Sequence, residues 1–237
     1  GVDTLDQSAS LTVVVVDLAA GTATDTGSIS DIESVLTGAA DDTIVGALAA
    51  QLLDTGLGSD TLDFAGIAQK LAFTVHANGT LSVSDGDTSI NNVAGAENVI
   101  GGSLTNTYTF ENGASVAGSI SGGSNVLDYA AYLTDVTVDL GAGTATGTAG
   151  ATGVTAVTGG TANNTLIGPA AETTWALTGP GSGNVAGTTF SNFHSLQGAS
   201  TSDTLVAIDS ANTWNIDAAN AGALNTLGFS GMEQLQG

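Results

Sequence analysis

Thr55-Gly56-Leu57-Gly58-Ser59-Asp60-Thr61-Leu62-Asp63 carries the pattern onto which the rest of the chain can be laid. Its glycines suit the positive φ of a tight turn. Its central Asp bonds nearby backbone and closes the turn. Thr-Leu then resumes a pleated strand with the aliphatic side chain facing inward. The same Asx-Thr-aliphatic triplet, with small variations, returns as Asp3-Thr4-Leu5, Asp42-Thr43-Ile44, Asn106-Thr107-Tyr108, Asn125-Val126-Leu127, Asn164-Thr165-Leu166 and Asp203-Thr204-Leu205. Successive Asx residues stand 39, 18, 46, 19, 39 and 39 apart. A unit of roughly 19 residues accounts for these intervals, with 39 as two units. The 46 reads as two units plus a loop of about seven residues near Asp85-Gly86-Asp87.

Two further markers keep the beat. One runs aliphatic or aromatic, two spacers, apolar, often Glu, spacer, aliphatic. Its copies include Ile29 to Val35 with Glu33, Val93 to Val99 with Glu97, Phe190 to Leu196 with His194 in the Glu position, and Phe229 to Leu235 with Glu233. The other is a turn at Gly followed by re-entry into a strand, as in Gly21-Thr22-Ala23-Thr24 and Gly143-Thr144-Ala145-Thr146. Leu11 to Leu18 and Asp135 to Leu140 are β-branched and read as strands. No stretch holds a helical period, and Gly recurs too often for long helices. The expected fold is all-β: a right-handed parallel β-solenoid of about 12 coils of roughly 19 residues. It would form one array over residues 1–237, with a divergent repeat and a loop insertion around 65–120.

Composition agrees with a narrow core of short side chains. Hydrophobic residues make up 42% of the chain but aromatics only 5%, with 34 Gly. The charge is one-sided: Lys70 is the only basic residue against 23 Asp and Glu. Nucleic-acid binding needs cationic side chains to neutralise phosphate, so that class is excluded. Anionic membrane surfaces are disfavoured for the same reason, and the Leu11–Leu18 run is too short and too polar for membrane insertion. Carboxylates without basic partners must face water, cap backbone N–H groups or bind cations. With no Cys, thiolate metal sites and disulfides are absent.

Gly122 to Tyr132, followed by Val136 to Leu140 and Gly143 to Gly147, resembles the large repeat-rich secreted proteins of Gram-negative bacteria and cyanobacteria, which are related to the RTX calcium-binding β-roll family. Thr55 to Asp63, and less closely Thr37 to Val45, are similar to the RTX nonapeptide Gly-Gly-x-Gly-x-Asp-x-aliphatic-x. The resemblance implies a secreted, cell-surface setting and Ca²⁺ as cofactor. The metal would sit between turns of adjacent coils, with Asp42 and Asp60, 18 residues apart, as its ligands. The departures are plain. The nonapeptides are not consecutive, Gln51 stands where an Asp belongs, and Asn106, Asn125 and Asn164 are neutral. Two readings stay open for Asp42 and Asp60, calcium ligands or hydrogen-bonded turn formers. Asp3, Asn106, Asn125, Asn164 and Asp203 are read as turn formers.

Catalysis needs convergent acid, base or nucleophilic groups, and His76 and His194 fall in different parts of the repeat. His76 is read as exposed on a strand. His194 shares its position with Glu33, Glu97 and Glu233, a solvated, solubilising face on this reading. Trp175 and Trp214, 39 apart, head equivalent strands and are read as packing residues. The expectation is a non-enzymatic structural or adhesive segment of a secreted cell-surface protein. Placing Gly1 after Gly237 regenerates an internal join, and no polar cap is evident. Neighbouring solenoid segments, or identical subunits stacked end to end into a filament, are therefore the expected partners. A cell-surface or polysaccharide ligand is the remaining partner class. A polysaccharide-active β-helix enzyme is the distant third reading.

Overall fold

The computed structural model describes residues 1–46, 48 and 52–237; the expectation attached to Gln51 lies outside the described residues. The chain is all-β, with no helix among the described residues, and most strand pairings are parallel. Contacts divide it into two compact units: Gly1–Asn125 with Gly147–Gly153, and Val126–Thr146 with Val154–Gly237.

In the first unit the inward aliphatic of a triplet stacks on the apolar residue in register with it on the next strand, which belongs to another triplet only at Ile44 and Leu62. Val16 pairs in register with Ile44, Ile44 with Leu62, Leu62 with Val99, and Val99 with Ile120. All five are fully buried. A second column runs Leu5, Val35, Leu53. Leu71–Val75 lies parallel to Thr105–Phe110, and the rings of Phe73 and Tyr108 stack at 4.5 Å. The second unit repeats the device with Val138, Leu166, Leu196 and Phe229, and again with Trp175, Leu205 and Leu235. Each fully buried Leu, Ile or Phe stabilises by about 1.5–3 kcal/mol. Parallel stacking places like residues about 4.8 Å apart, so columns of one side-chain type pack without a large core.

The interval between paired strands differs from the expected unit. An 18-residue step links Asp42 to Asp60. Elsewhere the step is 28, from Val14 to Asp42 and from Val136 to Asn164. It is 30 from Thr173 to Asp203 and 37 from Asp60 to Glu97. The added length is antiparallel structure, which the spacing rule did not anticipate. Three meanders leave and rejoin the parallel run: Leu71–Val75, Leu81–Ser84, Ser89–Val93; then Thr174–Gly179, Ser182–Val185, Thr188–Ser191; then Trp214–Ala218, Ala221–Leu224, Leu227–Ser230. Asp85-Gly86-Asp87 is the tip of a hairpin in the first meander, where the Asp85 carboxylate accepts the Asp87 and Thr88 N–H groups.

The strands expected over Leu11–Leu18 and Asp135–Leu140 shorten to Val15–Asp17 and Thr137–Asp139. Each turns through Asp17 or Asp139 and a left-handed Gly21 or Gly143 into a two-residue return strand. In both, the Thr nine residues on (Thr24, Thr146) accepts the N–H of Val15 or Thr137 through its hydroxyl, at 2.9 and 2.8 Å.

Candidate functional site

Six of the seven Asx residues bond neighbouring strands and turns through their side chains, whereas Asp3 is exposed and takes part through its backbone N–H and carbonyl. Asp42, Asp60, Asn106, Asn125, Asn164 and Asp203 are buried. Asp42 accepts the Val14 N–H on Oδ1 and the Gly38 N–H on Oδ2, both at 2.8 Å. The Asp42 N–H in turn reaches Asp60 Oδ1 at 2.7 Å. Asp203 likewise fills both oxygens, accepting from Thr173 and from Ser200, three rather than four residues back, at 2.9 Å each. The asparagines use the other half of their amide. Asn164 Oδ1 accepts from Val136 at 3.1 Å, while its Nδ2 donates to the carbonyls of Gly160 at 2.7 Å and Asn192 at 2.9 Å. Asn106 Nδ2 donates to the Gly102 carbonyl and to Asn125 Oδ1. A buried backbone group left unpaired costs about as much as a lost hydrogen bond, so these side chains complete bonds that the ladder of strands leaves open at its corners.

The choice between Asp and Asn follows from what the turn presents. Where the residue four back offers an N–H, as at Gly38, the partner is Asp42. Where it offers a carbonyl, as at Gly102 and Gly160, the partner is Asn106 or Asn164. An ionised carboxylate only accepts, whereas an amide accepts and donates.

The reading of Glu33, Glu97 and Glu233 as a solvated, solubilising face is corrected. All three are half-buried and accept a backbone N–H from the Asx residue on the neighbouring strand. Glu33 takes the N–H of Asp3, Glu97 that of Asp60 and Glu233 that of Asp203, each at 2.8 Å. His194 stands in the same place, exposed, with Nδ1 3.4 Å from the Asn164 N–H. Carboxylate acceptors make stronger hydrogen bonds than neutral ones, and a chain with one basic residue has few other partners to give them.

Asp60 departs from the pattern. It is fully buried, its Oδ1 serves Asp42, and its Oδ2 has no hydrogen-bond partner. The Gly56 N–H, the counterpart of Gly38, turns instead to Asp54 Oδ1 at 3.1 Å. Burial pushes the Asp60 carboxyl above its ordinary value, against the Asp42 N–H and the Thr55 hydroxyl, and the charges of Glu97 and Asp42 add to burial. Asp42 and Asp60 are thus adjacent, as the resemblance to calcium-binding repeats requires. Three of their four carboxylate oxygens are occupied by backbone N–H groups. No cluster of three or more His, Cys, Asp or Glu suited to a metal ion occurs among the described residues.

A second arrangement escaped the sequence reading. His76 is not exposed: its side chain is 24% accessible and both ring nitrogens are engaged. Nδ1 lies 2.9 Å from Glu111 Oε1 and Nε2 lies 2.9 Å from Ser82 Oγ. The elements explain the convergence. His76 follows strand Leu71–Val75, and a turn through the left-handed Gly79 brings Ser82 back on strand Leu81–Ser84. Glu111 follows strand Thr105–Phe110, which lies parallel to the first. The Ala77 N–H fixes its other oxygen at 3.0 Å. That bond and the His76 contact hold the Glu111 carboxyl below its ordinary value. Positions 76, 82 and 111 match no local motif. The one sequence signal was a His and a Ser flanking an Asn78-Gly79 turn.

Trp175 is fully buried edge-on to Phe190, and Trp214 is half-buried against Phe229. Among the described residues no helix is long and apolar enough to cross a membrane. Compared with protein-family models, curated proteins and solved structures, the chain matches none of them.

Proposed function

We propose that the chain is a structural repeat segment of a secreted bacterial cell-surface protein, an acidic scaffold of the adhesin or stalk kind. The observation that carries this reading is the fate of the recurrent polar residues. Asp42, Asp203, Glu33, Glu97 and Glu233 direct their carboxylates at backbone N–H groups of adjoining strands. The repeat therefore conserves strand-to-strand stitching along its length, which is what a load-bearing scaffold needs. The secreted setting rests on the resemblance to exported repeat proteins. A single Lys and no Arg leave trypsin-like proteases one cleavage site.

Thermolysin, which cuts beside aliphatic residues, tests the scaffold reading. The native chain should resist it for hours, with cuts confined to exposed turns. Cleavage throughout the chain within minutes at low temperature would overturn the proposal. Calcium is tested separately by calorimetry in millimolar Ca²⁺ and in EDTA. The occupied oxygens of Asp42 and Asp60 lead us to expect equal melting temperatures, and a rise with Ca²⁺ would restore their role as ligands.

A second reading, self-assembly into an extracellular filament, is favoured by the strand Trp214–Ala218. It forms the edge of its sheet and leaves Ile216 54% exposed. Such an edge is a template for pairing with a further strand. Electron microscopy of the concentrated chain distinguishes the two, since filaments favour assembly and single particles favour the segment.

A further inference from the structure

We propose that Ser82 is an activated nucleophile for acyl transfer, with His76 as its general base and Glu111 positioning the imidazole. This activity is independent of the scaffold role. The Glu111 carboxylate can only accept, so the 2.9 Å contact requires a proton on His76 Nδ1. In the neutral ring Nε2 then carries the lone pair, and the 2.9 Å contact to Ser82 Oγ is a hydroxyl donating to it. This is the order of groups, acid to Nδ1 and hydroxyl to Nε2, that activates a serine.

The support is rigid. Glu111 is held by the Ala77 N–H and by its own N–H to the Val75 carbonyl. The hairpin is closed by His76 N–H to the Thr80 carbonyl and Gly79 N–H to the His76 carbonyl. Ser82 alternates with buried Leu81 and Val83, so its hydroxyl lies on the outward face of the meander. The neighbouring strand slips register opposite it. Ile90 pairs with Val83 and Val93 with Leu81, which leaves Asn91 and a left-handed Asn92 bulged beside Ser82. Bulges of this kind re-aim side chains next to active sites; Asn91 Nδ2 is directed at Ser89 Oγ at 3.4 Å, and the exposed Asn92 amide is the donor available to a developing oxyanion.

The step balances with an ester and water alone. Ser82 Oγ bonds to the acyl carbon while its proton passes to His76 Nε2. Collapse of the tetrahedral adduct breaks the carbon–oxygen bond of the ester, and the leaving alkoxide takes the proton from Nε2. Water repeats the sequence and frees the acid. The net charge of −22 repels anionic substrates, so neutral acyl esters are the favoured class.

The test is labelling of the purified full chain with a fluorophosphonate probe, which forms a Ser–phosphorus bond and expels fluoride. Peptide mass spectrometry should find the adduct on Ser82. It should vanish in Ser82→Ala and fall at least tenfold in rate in His76→Gln. Glu111→Gln should slow labelling, and its positioning role is read separately from the nitrogen-15 spectrum of the imidazole. The unmodified chain should show His76 protonated on Nδ1, and Glu111→Gln should lose that preference. Circular dichroism checks that each variant keeps its strands. An unlabelled Ser82, labelling that survives His76→Gln, or a folded chain with His76 protonated on Nε2 would each overturn the proposal.

Discussion

Asp60 and Asp42 occupy the same position of the repeat, yet replacing each by Asn should change stability in opposite directions. Asp60→Asn keeps an oxygen for the Asp42 N–H, at 2.7 Å in the native chain. It replaces the unpartnered Oδ2 with an amide donor. The substitution also removes a charge held near Glu97 and Asp42. Relieving one unsatisfied buried polar group stabilises by about 1–2 kcal/mol, or roughly 2–8 °C in melting temperature for a protein of this size. Asp42→Asn loses an acceptor, because both native oxygens take N–H groups, and sets an amide donor against the Gly38 N–H. The expected cost is about 1–3 kcal/mol.

The pH dependence follows from the direction of the Asp60 shift. A carboxyl raised in the folded state contributes most favourably below its unfolded value of about 3.9. That contribution is lost as pH rises through the folded-state value. The advantage of Asp60→Asn should therefore be full near pH 7 and shrink toward zero below about pH 4. Differential scanning calorimetry in EDTA at the two pH values measures both variants. If Asp60→Asn destabilises as Asp42→Asn does, or if its effect is unchanged by acid, the account of the orphaned oxygen is wrong.

Asn164→Asp should cost about 2–3 kcal/mol at neutral pH, because the Gly160 and Asn192 carbonyls would then face a carboxylate; urea denaturation would show the loss shrinking as the carboxyl is protonated. Glu233→Ala removes the acceptor for Asp203 N–H and Asn220 Nδ2 and should cost about 1–2 kcal/mol, with faster hydrogen exchange at the Asp203 amide. Ala186 sits at φ 50° in the two-residue turn before Thr188. Ala186→Gly should raise stability by about 1 kcal/mol, and an unchanged melting temperature would count against strain there.

Much of the architecture was legible because stacking puts an apolar residue at the same position of successive strands. The Asx-Thr-aliphatic triplets marked the corners, and their aliphatic members, Ile44, Leu62, Leu166 and Leu205, are the buried columns. The interval was less legible. Excursions such as Thr174–Ser191 preserve the parallel register on return, so a count of residues between turns mixes coil with inserted meander. The Glu position was misread as solvent because Glu33, Glu97 and Glu233 look like surface residues in composition. Their acceptor role depends on an N–H 30 or 37 residues away. His76, Ser82 and Glu111 were invisible together, since two of them meet across a hairpin and the third arrives on a parallel strand.

The sequence by itself determined that strands recur, where they turn and which side chains enter the core, since turn chemistry and side-chain alternation are local properties. Only the tertiary structure decided what each polar residue does. Gly38 turns an N–H toward Asp42, whereas Gly102 and Gly160 turn carbonyls toward Asn106 and Asn164, and acid or amide suits each accordingly. Whether a neighbouring strand brings a donor within reach makes a Glu a strand-to-strand acceptor. At Asp60 the donor turned elsewhere, and one buried oxygen was left without a partner.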